Sequence, residues 1–208
     1  MPNRPAHPLM RQSTRTMSNL AWVQWWATPW LYSSEDWRTV DEHAALSMLY
    51  HSRHLRVGKI YGVAPCLPPT PQPTLLQLAL ASPDQLDLVL ALIDSTCRPT
   101  YASALNENLQ QWCNRLSKAL PPDMLLPDDD PLQLLRTWVN PATWQRIRLR
   151  FPRRRVLDLE KKSLALGDSY SRLDTLWHAV VWRIATINSD GKAPYAKDHG
   201  DLNDVLPT

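Results

Sequence analysis

The chain has few glycines, few cysteines and no long apolar run, and each shortage excludes a class of protein. Five glycines (58, 62, 167, 191 and 200) among 208 residues are too sparse and too scattered to build a phosphate-cradling loop, so glycine-rich nucleotide-binding folds are excluded. Three cysteines, Cys66, Cys97 and Cys113, form an odd set without CxxC spacing, which argues against a disulfide framework and for a reducing compartment. No apolar stretch approaches the roughly 18 to 20 residues that cross a bilayer. Valine and isoleucine together number 15 against 33 leucines, a bias toward helices over strands. The formal net charge is only +3, so any attraction to nucleic acid must come from a local patch.

What is present reads as a mostly α protein with one compact helical domain over 20–188. A flexible arm is expected over 1–19 and a flexible tail over 189–208. Arg4, Arg11 and Arg15 stand without acids, faintly like a targeting peptide, but LAWVQWWATPWLY (20–32) is interrupted by Gln24 and Pro29 and is a poor signal core. A cytoplasmic protein is expected. SSEDW suggests a helix start with Ser33 and Asp36 as a capping pair. Trp37, Val40, Ala44, Met48 and Leu55 then share one helical face. Gly58 and Gly62 mark a turn, and PCLPPTPQP (65–73) is a stiff connector.

Ser82, Pro83 and Gln85 spell a capping box, opening a helix apolar over most of its circumference and therefore placed at the centre of the core. Residues 102–120 carry an amphipathic pattern that Pro121 and Pro122 stop. Asp130-Pro131 and Asn140-Pro141 each resemble a cap followed by proline. Ser171 and Asp174 start a last strong helix through Ile187.

Candidate chemistry is thin. His51 and His54 are three apart but lack a metal-binding pattern around them, and Cys113 sits where a small buried hydrophobe would. Asp128, Asp129 and Asp130 lack the spacing of a calcium loop and suit a helix N-terminus. No catalytic, cofactor or metal site is expected. Trp22, Trp25, Trp26, Trp30 and Tyr32 crowd eleven positions, with Trp37 close behind. Most are expected in the core, with one or two rings left for a partner. Base stacking is disfavoured, because no Lys or Arg lies between 16 and 37.

The densest charge lies in TWQRIRLRFPRRR (143–155), with arginines at 146, 148, 150, 153, 154 and 155 and no acid. As a helix it aligns Trp144, Ile147 and Phe151. As a strand it alternates Ile147, Leu149 and Phe151 with arginines, so a minor β element stays open. The Asn-Pro start favours helix. In both readings Arg146 and Arg150 are expected outside. They would form, with Arg153, Arg154 and Arg155, either a solvated face partly met by the acidic 123–130 loop or a surface for a partner.

Pro29-Trp30-Leu31-Tyr32, the run RIRLRFP (146–152), LWHAVVWR (176–183) and the chain length together resemble the SctK-type accessory proteins of bacterial type III secretion systems, the YscK, PscK, OrgA and MxiK family, and most of all its PscK branch. The resemblance implies a non-enzymatic adaptor on the cytoplasmic face of the inner membrane, within the injectisome sorting platform. It would link the cytosolic domain of the ring protein SctD to the SctQ pod, and so to SctL and the ATPase SctN. It would reach the membrane only through the ring, with no nucleic acid as partner. The expected contacts are Arg146, Arg150, Arg153, Arg154, Arg155, Trp30 and Tyr32. The rival readings are a nucleic-acid-binding regulator using Arg146–Arg155 and a peripheral membrane protein.

Overall fold

Helices and short 3₁₀ turns, without a strand, make up the described residues of the computed structural model, which are 8–38, 54–99, 105–121, 124–162 and 171–189. Nine α-helices lie among them: α1 (Pro8–Ala27), α2 (His54–Ile60), α3 (Pro73–Leu80), α4 (Pro83–Cys97), α5 (Glu107–Ser117), α6 (Leu132–Trp138), α7 (Pro141–Ile147), α8 (Arg153–Glu160) and α9 (Leu173–Ser189). The mostly α class matches the leucine bias. Val40, Ala44, Met48 and His51 lie outside the described residues.

The central pair is α4 and α9, with α5 against α4, and with α3 and α6 against α9. Helix α4 starts as its sequence demands. Ser82 Oγ accepts from the Gln85 amide at 3.2 Å, and Gln85 Oε1 accepts from the Ser82 amide at 2.7 Å. Leu86, Leu88, Val89, Leu90, Leu92 and Ile93 are all buried, so this helix occupies the middle of the core. Helix α9 buries Leu173, Leu176, Trp177, Val180 and Ile184. Trp177 stacks on Trp138 of α6, centroids 5.6 Å apart.

Helix α1 begins at Pro8, well inside the stretch expected as a flexible arm. Pro8 is suited to a first helical position. The physical anchor is further along: Trp22, Trp25 and Trp26 are buried and mutually packed, with centroids 5.2 to 6.1 Å apart. A helix nucleated there propagates backward at little cost. The indole N–H groups of Trp22 and Trp26 donate to the carbonyls of Pro69 and Cys66, both at 3.0 Å. Prolines supply no N–H of their own, so α1 provides donors that the 65–73 connector lacks.

Two expectations change. SSEDW forms a 3₁₀ turn over Glu35–Trp37 with no side-chain cap; Ser33 Oγ instead donates back to the Trp30 carbonyl at 2.8 Å. The arginine run is helical up to Ile147, with the Asn140 side chain accepting from the Thr143 amide at 2.8 Å, and then tightens into a 3₁₀ turn over Arg148–Arg150. No strand forms there. The tighter winding shifts the side-chain phase, so Arg146, Arg148 and Arg150 do not share one outer face.

Candidate partner-binding surface

The arginines of the run divide sharply by position. Arg146 is only 3% exposed. Its Nε donates to the Trp26 carbonyl at 3.0 Å, Nη1 to the Ala142 carbonyl at 2.9 Å and Nη2 to the Ala64 carbonyl at 3.0 Å. Its guanidinium lies 4.0 Å from the Trp26 ring centroid. Trp26 is in the last turn of α1, whose final carbonyls have no partners within the helix and which carries no basic residue of its own there. Arg146 supplies both the hydrogen bond and the positive charge that this end favours.

Arg150 repeats the device. Its two terminal nitrogens donate to the carbonyls of Tyr32, at the end of the 29–32 turn, and of Ala81, the cap of α3. Burial lowers both the Arg146 and Arg150 pKa from the usual arginine value, but a guanidinium remains protonated. The expectation that these two face outward is therefore overturned. Neutral carbonyls take the bonds that both guanidinium groups make, while the Arg150 Nε–H is buried without a partner among the described residues.

Arg148 donates to both carboxylate oxygens of Glu160, at 2.8 and 3.1 Å, and to the Tyr61 carbonyl at 3.0 Å. That carbonyl lies just past α2, where the helix ends in a Schellman motif. The Gly62 amide donates to Lys59 and the Val63 amide to Gly58, at 3.1 and 2.7 Å, with Gly62 at φ 64°. Arg155 pairs with Asp130 through two bonds, Nε–Oδ2 at 2.7 Å and Nη2–Oδ1 at 2.8 Å. This is the contact with the acidic loop that the charge pattern suggested. Burial pushes the Asp130 carboxyl up. The Arg155 hydrogen bond, the Leu132 amide and the charges of Arg155 and Arg98 outweigh that, and its pKa ends below the usual carboxylate value.

Arg153 and Arg154 remain exposed. They open α8 beside Leu157, itself 44% exposed. Three arginines at a helix N-terminus oppose its dipole. Asp36 offsets them, its carboxylate accepting from the Arg153 amide at 2.5 Å. The other two expected contacts behave differently. Trp30 is buried and stacked on Tyr61, centroids 6.3 Å apart, and lines a groove beside α1. Tyr32 is half-buried.

The exposed indole is one that the aromatic density did not flag, Trp182 on α9, at 62%. The helical wheel could have found it, since it falls off the stripe formed by Leu176, Val180 and Ile184. On the same helix, Val181, Ile184 and Ala185 line an apolar groove of about 310 Å³ with Leu80 and Val89. A second groove, of about 220 Å³, lies between α1 and the 63–68 segment.

The remaining candidates have local duties. Asp129 Oδ2 accepts from the Leu126 amide at 3.0 Å, and Asp130 Oδ1 from the Leu132 amide at 2.8 Å. Cys113 is buried, and burial raises its pKa, disfavouring a thiolate. Among the described residues no group of three His, Cys, Asp or Glu could hold a metal ion, and no helix is long and apolar enough to cross a membrane. The chain matches no protein-family model, no curated protein and no solved structure.

Proposed function

We propose that the chain is a non-enzymatic adaptor of a type III secretion sorting platform, linking the cytosolic domain of the inner-membrane ring protein SctD to the SctQ pod and thereby to the SctL/SctN ATPase complex. One observation carries the protein-binding part: Trp182, within the family-like LWHAVVWR, stands 62% exposed on α9, the helix whose Val181, Ile184 and Ala185 line an apolar groove. Tryptophan dominates the energetics of protein interfaces, and anchors of this kind dock against concave apolar surfaces. The attachment to the secretion apparatus rests on the resemblance of residues 29–32, 146–152 and 176–183.

The rival reading, a nucleic-acid-binding regulator, draws its force from the arginine run. Arg146, Arg148, Arg150 and Arg155 are committed to internal acceptors, which leaves Arg153 and Arg154 as that run's exposed cations. Two phosphate contacts are a small electrostatic footprint beside the six to ten that make binding strongly salt-dependent.

Co-purification of the full chain with the SctD cytosolic domain and with SctQ tests the proposal. Binding to both, reduced at least tenfold by Trp182→Ala in one arm, is expected. Binding to neither sinks the adaptor reading, and nucleic-acid binding that falls steeply with salt replaces it with the rival.

A further inference from the structure

Residues 1–34, 54–81 and 131–157 contain no aspartate or glutamate. Parts of all three meet around the smaller groove, of about 220 Å³, whose lining includes Val23, Trp26, Trp30, Pro65, Cys66 and Arg146. The arginine is the unusual member. Arg146 is a buried cation whose three bonds to the backbone run to neutral carbonyls; the Cys66 side chain is its other polar neighbour, and no carboxylate pairs with it among the described residues. Carbonyl dipoles solvate a guanidinium but leave its full charge in place, and a buried charge without a counter-ion is costly. An acid-free apolar groove with that charge in its lining is complementary to a carboxylate flanked by apolar groups.

The size narrows the occupant. Pockets for small ligands usually run from about 300 to 1,000 Å³, and this groove is smaller. It matches the one or two side chains by which a protein segment anchors itself. The lining also reaches the surface in an apolar side chain, Val23 being 47% exposed.

We propose that this groove docks a segment of a partner protein in which an aspartate or glutamate stands among apolar residues. The inference does not depend on which apparatus the protein serves.

Cys66 provides the readout. It lines the groove and is exposed, while Cys113 is buried and burial, with the Asp94 charge, pushes the Cys97 thiol up to about 12. A maleimide at neutral pH therefore labels Cys66 first. The probe is a displayed library of random dodecapeptides, selected on the full chain and counter-selected on Val23→Glu, a rim variant checked for an unchanged thermal midpoint. Peptides with an acid between apolar residues should be enriched. They should protect Cys66 from alkylation and weaken about tenfold when the acid becomes its amide. Val23→Lys should tighten them and Val23→Glu should release them. No enrichment, enrichment of neutral or basic peptides, or equal binding to both Val23 variants overturns the proposal. Protection of Cys66 that rises with protein concentration alone assigns the groove to a second copy and overturns it too.

Discussion

Arg146 and Trp26 are 120 residues apart, yet the Arg146 Nε donates to the Trp26 carbonyl at 3.0 Å while its guanidinium covers the Trp26 ring. One side chain thus caps α1 and packs against it. The same relationship recurs at the end of α3 through Arg150 and beyond α2 through Arg148. Arg136 binds the Leu159 and Lys162 carbonyls as α8 ends. Helix ends, including the Schellman-capped end of α2, are completed by arginines from elsewhere in the chain, so tertiary packing and helix termination are one process.

The first expectation is that Arg146→Ala destabilises the fold by about 2–3 kcal/mol, since it leaves the buried Trp26 carbonyl unpaired and removes the guanidinium packed over the Trp26 ring. Arg146→Lys should recover only part of this, because one ammonium does not reproduce a planar fork spanning three carbonyls. Urea unfolding midpoints at unchanged m-value measure both. An Arg146→Ala cost below about 1 kcal/mol would show that water replaces the guanidinium.

Gly62 is the second. At φ 64° an L side chain is strained by roughly 1–2 kcal/mol, and a Cβ there would lie 2.7 Å from Arg148 Nη2. Gly62→Ala should therefore cost at least about 1.5 kcal/mol, and most of that penalty should persist in an Arg148→Ala background. Thermal melts of the two singles and the double give the coupling.

The third concerns acid. The folded-state pKa of Asp130 lies below the usual carboxylate value, because the Arg155 bonds and neighbouring charges outweigh burial. Its ionised form consequently stabilises the fold above the unfolded value of about 3.9, and this contribution is lost as pH falls through the lower folded value. Asp130→Asn should cost about 1 kcal/mol at pH 7 and flatten the stability curve below pH 4. An unchanged acid limb would assign that limb to other carboxylates.

Helix positions were legible because their signals are local: the Ser82–Gln85 capping box, the Asn140-Pro141 start and the 3.6-residue stripes of α4 and α9. The fate of the arginines was not. An exposed arginine and one that clamps a distant carbonyl have the same periodicity, and the carbonyls that hold Arg150 come from positions 32 and 81. A negative sign was nevertheless present in the sequence. Residues 131–157 contain no acid, and Pro-rich 65–73 is short of N–H donors, so cations and indoles were needed to complete that backbone. Nothing local announces the stacking of Trp30 on Tyr61 either. Aromatic density does not mark Trp182; only its phase around α9 sets it off the buried stripe.

Charge reversal separates the two kinds of arginine within one run. Arg150 is tied to the Tyr32 and Ala81 carbonyls, so Arg150→Glu would place a carboxylate against two carbonyl oxygens and should lower stability by about 4 kcal/mol or more. Arg153 and Arg154 are exposed, and reversing both should change stability by no more than about 1 kcal/mol, the usual scale for two surface substitutions. Some of even that loss should be offset, because acids suit the first turn of α8 better than cations do. If this face meets an acidic neighbour, the double reversal slows association several-fold at low salt while leaving dissociation nearly unchanged, as rim charges do. Stopped-flow binding to the SctD domain or SctQ at two ionic strengths reads that difference. Equal association rates for wild type and double reversal with both proteins would mean that the two arginines are only solvated, and that Trp182 and the grooves carry recognition without them.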